Sequence, residues 1–81
     1  MQEFIKFITT SILSNEEDIT VEKVKSGEES AYEDIYEVNC REEEKGKLIG
    51  KHGKTIMAIR DIVNAVAIKN RKKKVRIRIV D

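Results

Sequence analysis

Proline and tryptophan are absent from these 81 residues, cysteine and histidine occur once each, and the aromatic rings number two phenylalanines and two tyrosines. A lone Cys40 cannot close an internal disulfide, which fits a reduced, cytoplasmic setting. It reads as a small buried apolar residue and not as a nucleophile, which would want a basic partner. One cysteine and one histidine do not make a metal-ligand cluster. No segment approaches the roughly 20 apolar residues of a membrane span. Glu3 and Lys6 interrupt the apolar stretch at the N-terminus, so no signal peptide is expected. The length predicts one domain over residues 1–81, which buries only roughly 60–65% of its unfolded surface.

Charge is what the sequence has in quantity, and it is unevenly spread. The net value of +1 conceals four bases against thirteen acids in residues 1–44, or −9, and twelve bases against two acids in residues 45–81, or +10. The C-terminal half is as basic as many nucleic-acid binders. Mutual neutralisation of the two halves within the fold is the alternative, and some of both is expected.

Residues 2–14 read as an amphipathic helix with Ile5, Ile8 and Ile12 in phase and Phe4 and Leu13 beside them. Thr9, Thr10 and Ser11 weaken its intrinsic propensity, so packing must hold it. Phe4 and Phe7 are expected in the core. Residues 19–25 predict a strand whose alternation breaks between Val21 and Val24, which suggests an edge or a bulge. The turn-rich run 26–30 joins it as a hairpin to a strand over 31–40. There Tyr32, Tyr36, Val38 and Cys40 should face the core, with Glu33, Ile35 and Glu37 on the other side. A short helix starts at Arg41 and ends near Ile49, with acids in its first turn. Gly46 inside it costs about 1 kcal/mol relative to alanine, so a close approach to its backbone is expected, by the facing helix or by a ligand. Residues 54–69 predict the longest helix. Its stripe is Ile56, Ile59, Val63 and Val66, widened by Ile62 and Ala65, with Arg60, Asp61 and Asn64 outward. Met57 and Ile68 sit on its flank, where ordinary burial is the expectation. A basic turn, 70–74, leads to the cleanly alternating strand 75–79, whose Arg76 and Arg78 can face Glu33 and Glu37. A strand–helix–helix–strand crossover makes its strands parallel. The expected fold is therefore α+β, in the order α-β-β-α-α-β, with a three-stranded mixed sheet and three helices on one face.

The stretch Lys47-Leu48-Ile49-Gly50-Lys51-His52-Gly53-Lys54-Thr55-Ile56 carries the chemistry. Gly50 can end one helix and Gly53 start the next. The loop between them would offer bare amides and the positive end of a helix dipole to an anion, a phosphodiester being the obvious one. Lys45, Lys47, Lys51 and Lys54 surround it with positive charge, and His52 can donate a hydrogen bond.

Ile49-Gly50-Lys51-His52-Gly53-Lys54-Thr55-Ile56, followed by Ala58-Ile59-Arg60, resembles the GxxG core of a KH domain, whose loop clamps about four nucleotides of single-stranded RNA. Over nearly its whole length the chain resembles the small bacterial single-KH proteins of the KhpA family, and the element order matches the type II KH arrangement. The resemblance implies RNA binding at Lys47, Ile49, Gly50, Lys51, His52, Gly53, Lys54, Thr55 and Ile56. Ile49 and Ile56 then line a base-facing groove, although both fit a plain core role as well. It also implies a cytoplasmic RNA chaperone or post-transcriptional regulator linked to cell-envelope homeostasis and cell length. Its implied partners are a second copy or a larger KH-containing, KhpB-like protein.

No aromatic residue flanks the basic loop, so the base-stacking platforms of other RNA modules, worth about 1–3 kcal/mol per base, are excluded. A nucleotide-binding P-loop would need glycine at 48, where Leu48 stands, and Gly46 is two positions too early. No enzymatic role and no cofactor are expected. A protein-interaction module in a ribonucleoprotein assembly, with little RNA affinity of its own, is the alternative.

Overall fold

The computed structural model describes residues 1–14, 16–24 and 33–80. The elements are helix α1 (Gln2–Ile12), strands β1 (Thr20–Lys23) and β2 (Glu33–Asn39), helices α2 (Lys45–Ile49) and α3 (Lys54–Lys69), and strand β3 (Lys74–Ile79). The expected order is thus observed. The stretch from Arg41 is divided, however, into a 3-10 turn at Glu42–Glu44 and the short α2. The expected hairpin turn at 26–30 and Tyr32 lie outside the described residues.

The sheet order is β1-β2-β3, with β1 antiparallel and β3 parallel to the central β2. Val21, Tyr36, Val38, Cys40, Val75 and Ile77 share the inner face and pack with the buried residues of all three helices. Ile35 has the opposite parity, yet it too is buried. On a central strand, flanked from both sides, a side chain loses solvent even on the face without helices. Arg78 Nη2 donates to Glu37 Oε2 at 2.8 Å across the parallel pair, as expected. Arg76 instead stands opposite Ile35, and the residue opposite Glu33 is Lys74.

Both long helices are rotated slightly from the orientation their apolar periodicity suggests. The ridge that α1 and its C-cap bury is Ile5, Thr9 and Leu13. Thr9 is tolerated there because its Oγ1 donates to the Ile5 carbonyl, 2.8 Å away, and so satisfies its own hydroxyl. Phe4 and Ile8 form a half-buried shoulder against the core. Phe7 is not a core residue: two positions after Ile5 it lies about 200° round the helix, and it is 67% exposed. On α3 the buried set is Ile56, Ile59, Val63 and Ala67. Ala67 replaces Val66 in the stripe, and Ile62, Ala65, Met57 and Ile68 are exposed.

Asn64 does not face outward. Its Nδ2 donates to the Val75 carbonyl at 3.0 Å and its Oδ1 accepts the Val75 N–H at 2.7 Å. One turn earlier Arg60 Nη2 donates to the Ile77 carbonyl at 3.2 Å. As an edge strand, β3 would otherwise leave these backbone groups unpaired, so α3 is held to the sheet by polar contacts as well as by its apolar stripe. At the far side of the helical layer, buried Glu44 accepts the Ser14 N–H at 3.0 Å and ties the end of α1 to the turn before α2.

The facing helix does not make the close approach expected at Gly46: nothing outside its own helix lies within 4 Å of a Cβ placed there, and its φ is not positive. The glycine therefore weakens α2 without a packing return. Gly46→Ala should raise stability by about 0.5–1 kcal/mol, seen as a higher urea midpoint at unchanged m. Asn64→Ala should lower it by about 1–2 kcal/mol, because it leaves a half-buried N–H and carbonyl without partners.

Candidate nucleic-acid interface

The corner between α2 and α3 is made by three residues with positive φ. Gly50 has φ 78 and ψ 172, a combination open essentially to glycine alone. His52 (φ 57, ψ 27) and Gly53 (φ 73, ψ 13) are left-handed. Holding His52 there costs roughly 1–2 kcal/mol relative to an ordinary backbone. The two helices are broken apart and not merged, and the corner stands open to solvent. Lys51, His52 and Lys54 are exposed, and both glycines are half-buried.

The backbone hydrogen bonds of the corner decide what it can offer. The Gly53 N–H is donated to the Gly50 carbonyl at 3.1 Å, and the Lys54 N–H to the Lys51 carbonyl. Among the described residues, no protein acceptor takes up the N–H of Lys51 or of His52. Two bare amides therefore face solvent beside the start of α3, whose N-cap Gly53 supplies no side-chain cap. Adjacent free amides at a helix start form a concavity suited to an anion.

Among the residues singled out in the sequence, Lys47, Lys51, His52 and Lys54 are brought together as an exposed cationic rim. Lys45 is not part of it, since its ammonium is held 3.0 Å from Glu42 Oε2. Thr55 is half-buried behind the loop, where its side chain abuts Gly50. Ile49 is 40% exposed at the end of α2, whereas Ile56 is 7% exposed and belongs to the core.

A groove of about 390 Å³ runs between α3 and β3, lined by Arg60, Asp61, Asn64 and residues 74–78. Neither Ile49 nor Ile56 lines it. Its floor carries Val75 and Ile77, and its walls carry the guanidinium and amide groups that clamp β3. Sequence reasoning left Arg60 and Asn64 on the solvent face. Their signal was present: a polar pair four residues apart, flanking the buried stripe on one side.

The other reactive groups are quiet. Burial pushes the Cys40 thiol up, with Lys45 opposing and Glu44 and Glu42 adding to the rise, so the thiol stays protonated and poorly nucleophilic. Burial, then the nearby Asp34 carboxylate, likewise raises Tyr36, with Lys23 acting against them. Among the described residues no group of three metal-ligating side chains is found, and no helix is long and apolar enough to cross a membrane.

Comparison with known proteins finds relatives that match over nearly the whole chain. The model of the KhpA/KhpB KH-domain family matches residues 2–79. RNA-binding protein KhpA of Clostridium perfringens is 43% identical over 90% of this chain and 92% of its own length. That of Listeria monocytogenes is 33% identical over the full length of both chains. That of Chlamydia pneumoniae is 33% identical over 86% of this chain and 85% of its own.

The two loop glycines differ in what a side chain would meet. A Cβ on Gly50 would collide with the Thr55 side chain and lie 2.8 Å from the Thr55 nitrogen, whereas on Gly53 it meets nothing within 4 Å. Gly53→Ala should cost about 1 kcal/mol from its left-handed backbone alone. Gly50→Ala should cost at least about 3 kcal/mol from strain and collision together. Thermal melts should order them wild type, Gly53→Ala, Gly50→Ala, with Gly50→Ala lowest.

Proposed function

The chain belongs to the KhpA/KhpB KH-domain family, and from that premise we propose that it is a non-catalytic protein that binds single-stranded RNA through the loop at residues 50–53. The observation that carries this reading is the pair of free amides at Lys51 and His52, set in an exposed corner ringed by Lys47, Lys51 and Lys54. Gly50 and Gly53 leave room for a phosphate to approach the backbone, the amides donate to its oxygens, and the lysines attract the strand from a distance. His52 donates a further hydrogen bond, and Thr55 fixes the corner from behind. Ile49 offers aliphatic surface at its rim, while Ile56 supports it from the core.

Without aromatic stacking, affinity rests on phosphate contacts and aliphatic packing. Binding is therefore weak, in the micromolar range, tolerant of sequence, and sensitive to salt. About three neutralised phosphates give a log–log salt slope near −2, at about −0.7 per contact.

The relatives are named as RNA-binding proteins, and the cellular part of the proposal follows from that kinship. Residues 1–81 act as one KH domain in the cytoplasm, as an RNA chaperone or post-transcriptional regulator serving cell-envelope homeostasis and cell length. The family description joins KhpA with KhpB, which supports a KhpB-like partner, or a second copy, as the route to higher avidity through linked weak sites. The exposed Phe7, Met57, Ile62 and Ile68 support a second reading, in which protein contacts dominate and RNA affinity is slight.

Replacing Lys51 and His52 together by Asp separates the two readings. Ultraviolet crosslinking to single-stranded RNA should disappear while the circular dichroism spectrum and melting midpoint are kept. Persistent crosslinking would move the RNA site away from the loop, and a salt slope near zero would remove its electrostatic basis.

A further inference from the structure

Helix side chains occupy both outer edges of the sheet. The Val24 N–H is donated to the Ile35 carbonyl and the Val80 N–H to the Val38 carbonyl. Alternation along each strand then turns the backbone groups of Val21 and Lys23 outward on β1, and those of Val75, Ile77 and Ile79 outward on β3. On the β1 side, Gln2 Nε2 donates to the Val21 carbonyl at 2.5 Å. On the β3 side, Asn64 takes both backbone groups of Val75, and Arg60 takes the Ile77 carbonyl. Three side chains from α1 and α3 thus cap four outward groups. The body of α3 does not fill the space along β3, since a groove of about 390 Å³ lies between it and residues 74–78. Without the capping side chains that edge would be open to a further strand.

The two edges also fit one another. Laid antiparallel on β3, the β1 strand of a second copy would set Val21 against Ile77 and Lys23 against Val75 as hydrogen-bonded pairs. Glu22 would fall between them, opposite Arg76. Val21 and Ile77 both lie on the helix-bearing face, so the apolar layer would continue across the junction. Glu22 is exposed and has no ion-pair partner among the described residues. Opposite charges across a strand pair attract. Such a contact joins two different edges, so it does not close on itself: each copy added offers a fresh edge to the next.

We propose that Gln2, Arg60 and Asn64 guard the sheet edges, and that the occupant they exclude is β1 of a second copy, added to β3 in open-ended chains. The three contacts do more than dock the helices: they keep the assembly finite. This is separate from the RNA reading, because none of the three belongs to the 50–53 loop. It is separate also from a closed pairing of two copies, whose mass has a ceiling.

The test compares the full chain with Gln2→Ala/Asn64→Ala, which opens a guard at each edge. The control is Val63→Ala, which loosens the core at a fully buried position and touches neither edge. Each is followed by sedimentation velocity as concentration is raised, well below its melting midpoint. Wild type and Val63→Ala should reach a fixed mass of one or two copies. The guard variant should gain mass continuously, with no plateau at two copies. Adding Glu22→Lys to it should restore the wild-type mass, because like charges would then stand opposite each other. A guard variant that keeps the wild-type mass would overturn the proposal. So would growth that Glu22→Lys leaves unchanged, or growth that Val63→Ala shows equally. Should Gln2→Ala/Asn64→Ala not fold, Gln2→Ala/Arg60→Ala, which leaves Asn64 docking α3, takes its place with the same outcomes.

Discussion

The approach of Gly50 to Thr55 is the contact on which the arrangement turns. With no Cβ at 50, the chain leaves α2, reverses through two left-handed residues and starts α3 within four positions. That abrupt corner sets the direction of α3, and α3 in turn supplies Ile56, Ile59, Val63 and Ala67 to the core and Asn64 and Arg60 to the edge of the sheet. Among the described residues, the same corner leaves the Lys51 and His52 amides without protein partners. A wider loop would satisfy its amides internally and place α3 elsewhere. Fold and site thus share one local requirement, and the strain carried by His52 is held in place by the packing around it.

Charge works at two levels. The acidic and basic halves of the sequence do meet in the fold, through Arg78 with Glu37 and Lys73 with Asp34, while Arg41 with Asp18 and Lys23 with Asp34 pair within the N-terminal half. Such partly exposed pairs contribute roughly 0–1 kcal/mol each, far less than the apolar core. Their larger effect is to remove particular cations from the surface field. What they leave is a set of exposed bases at the two ends of α3, with a groove between them. The local field along α3 and β3, and not the near-zero net charge, decides which molecules this face attracts.

Much of the fold was legible because its signals are local. Alternation over 75–79, the long apolar period over 54–69 and the paired glycines at 50 and 53 each follow from backbone geometry that neighbouring residues impose. Together with the crossover rule they fixed element order and strand direction. The exposure of Lys51, His52 and Lys54 was legible for the same reason: a corner that ejects its side chains into solvent does so whatever lies elsewhere. Ile62 and Ala65 were misplaced because periodicity gives the apolar side of a helix only approximately, and Phe7 because an aromatic ring was assigned to the core although it lies on the side opposite Ile5. The exact angle of a helix comes from the layer it packs against. Gly46 carried no sign of whether anything approached it.

The sequence by itself therefore determined the α-β-β-α-α-β order, the mixed sheet and the glycine-bounded corner, since these follow from residue spacing and steric limits on φ. Only the tertiary structure decided that Asn64 and Arg60 clamp the exposed edge of β3, that Ile56 belongs to the core and not to the groove, and that Asp34 neutralises Lys23 and Lys73 while Arg71, Lys72 and Lys74 have no acid partner among the described residues. These depend on distances between segments far apart in the chain, which hydrophobic pattern and charge count do not specify.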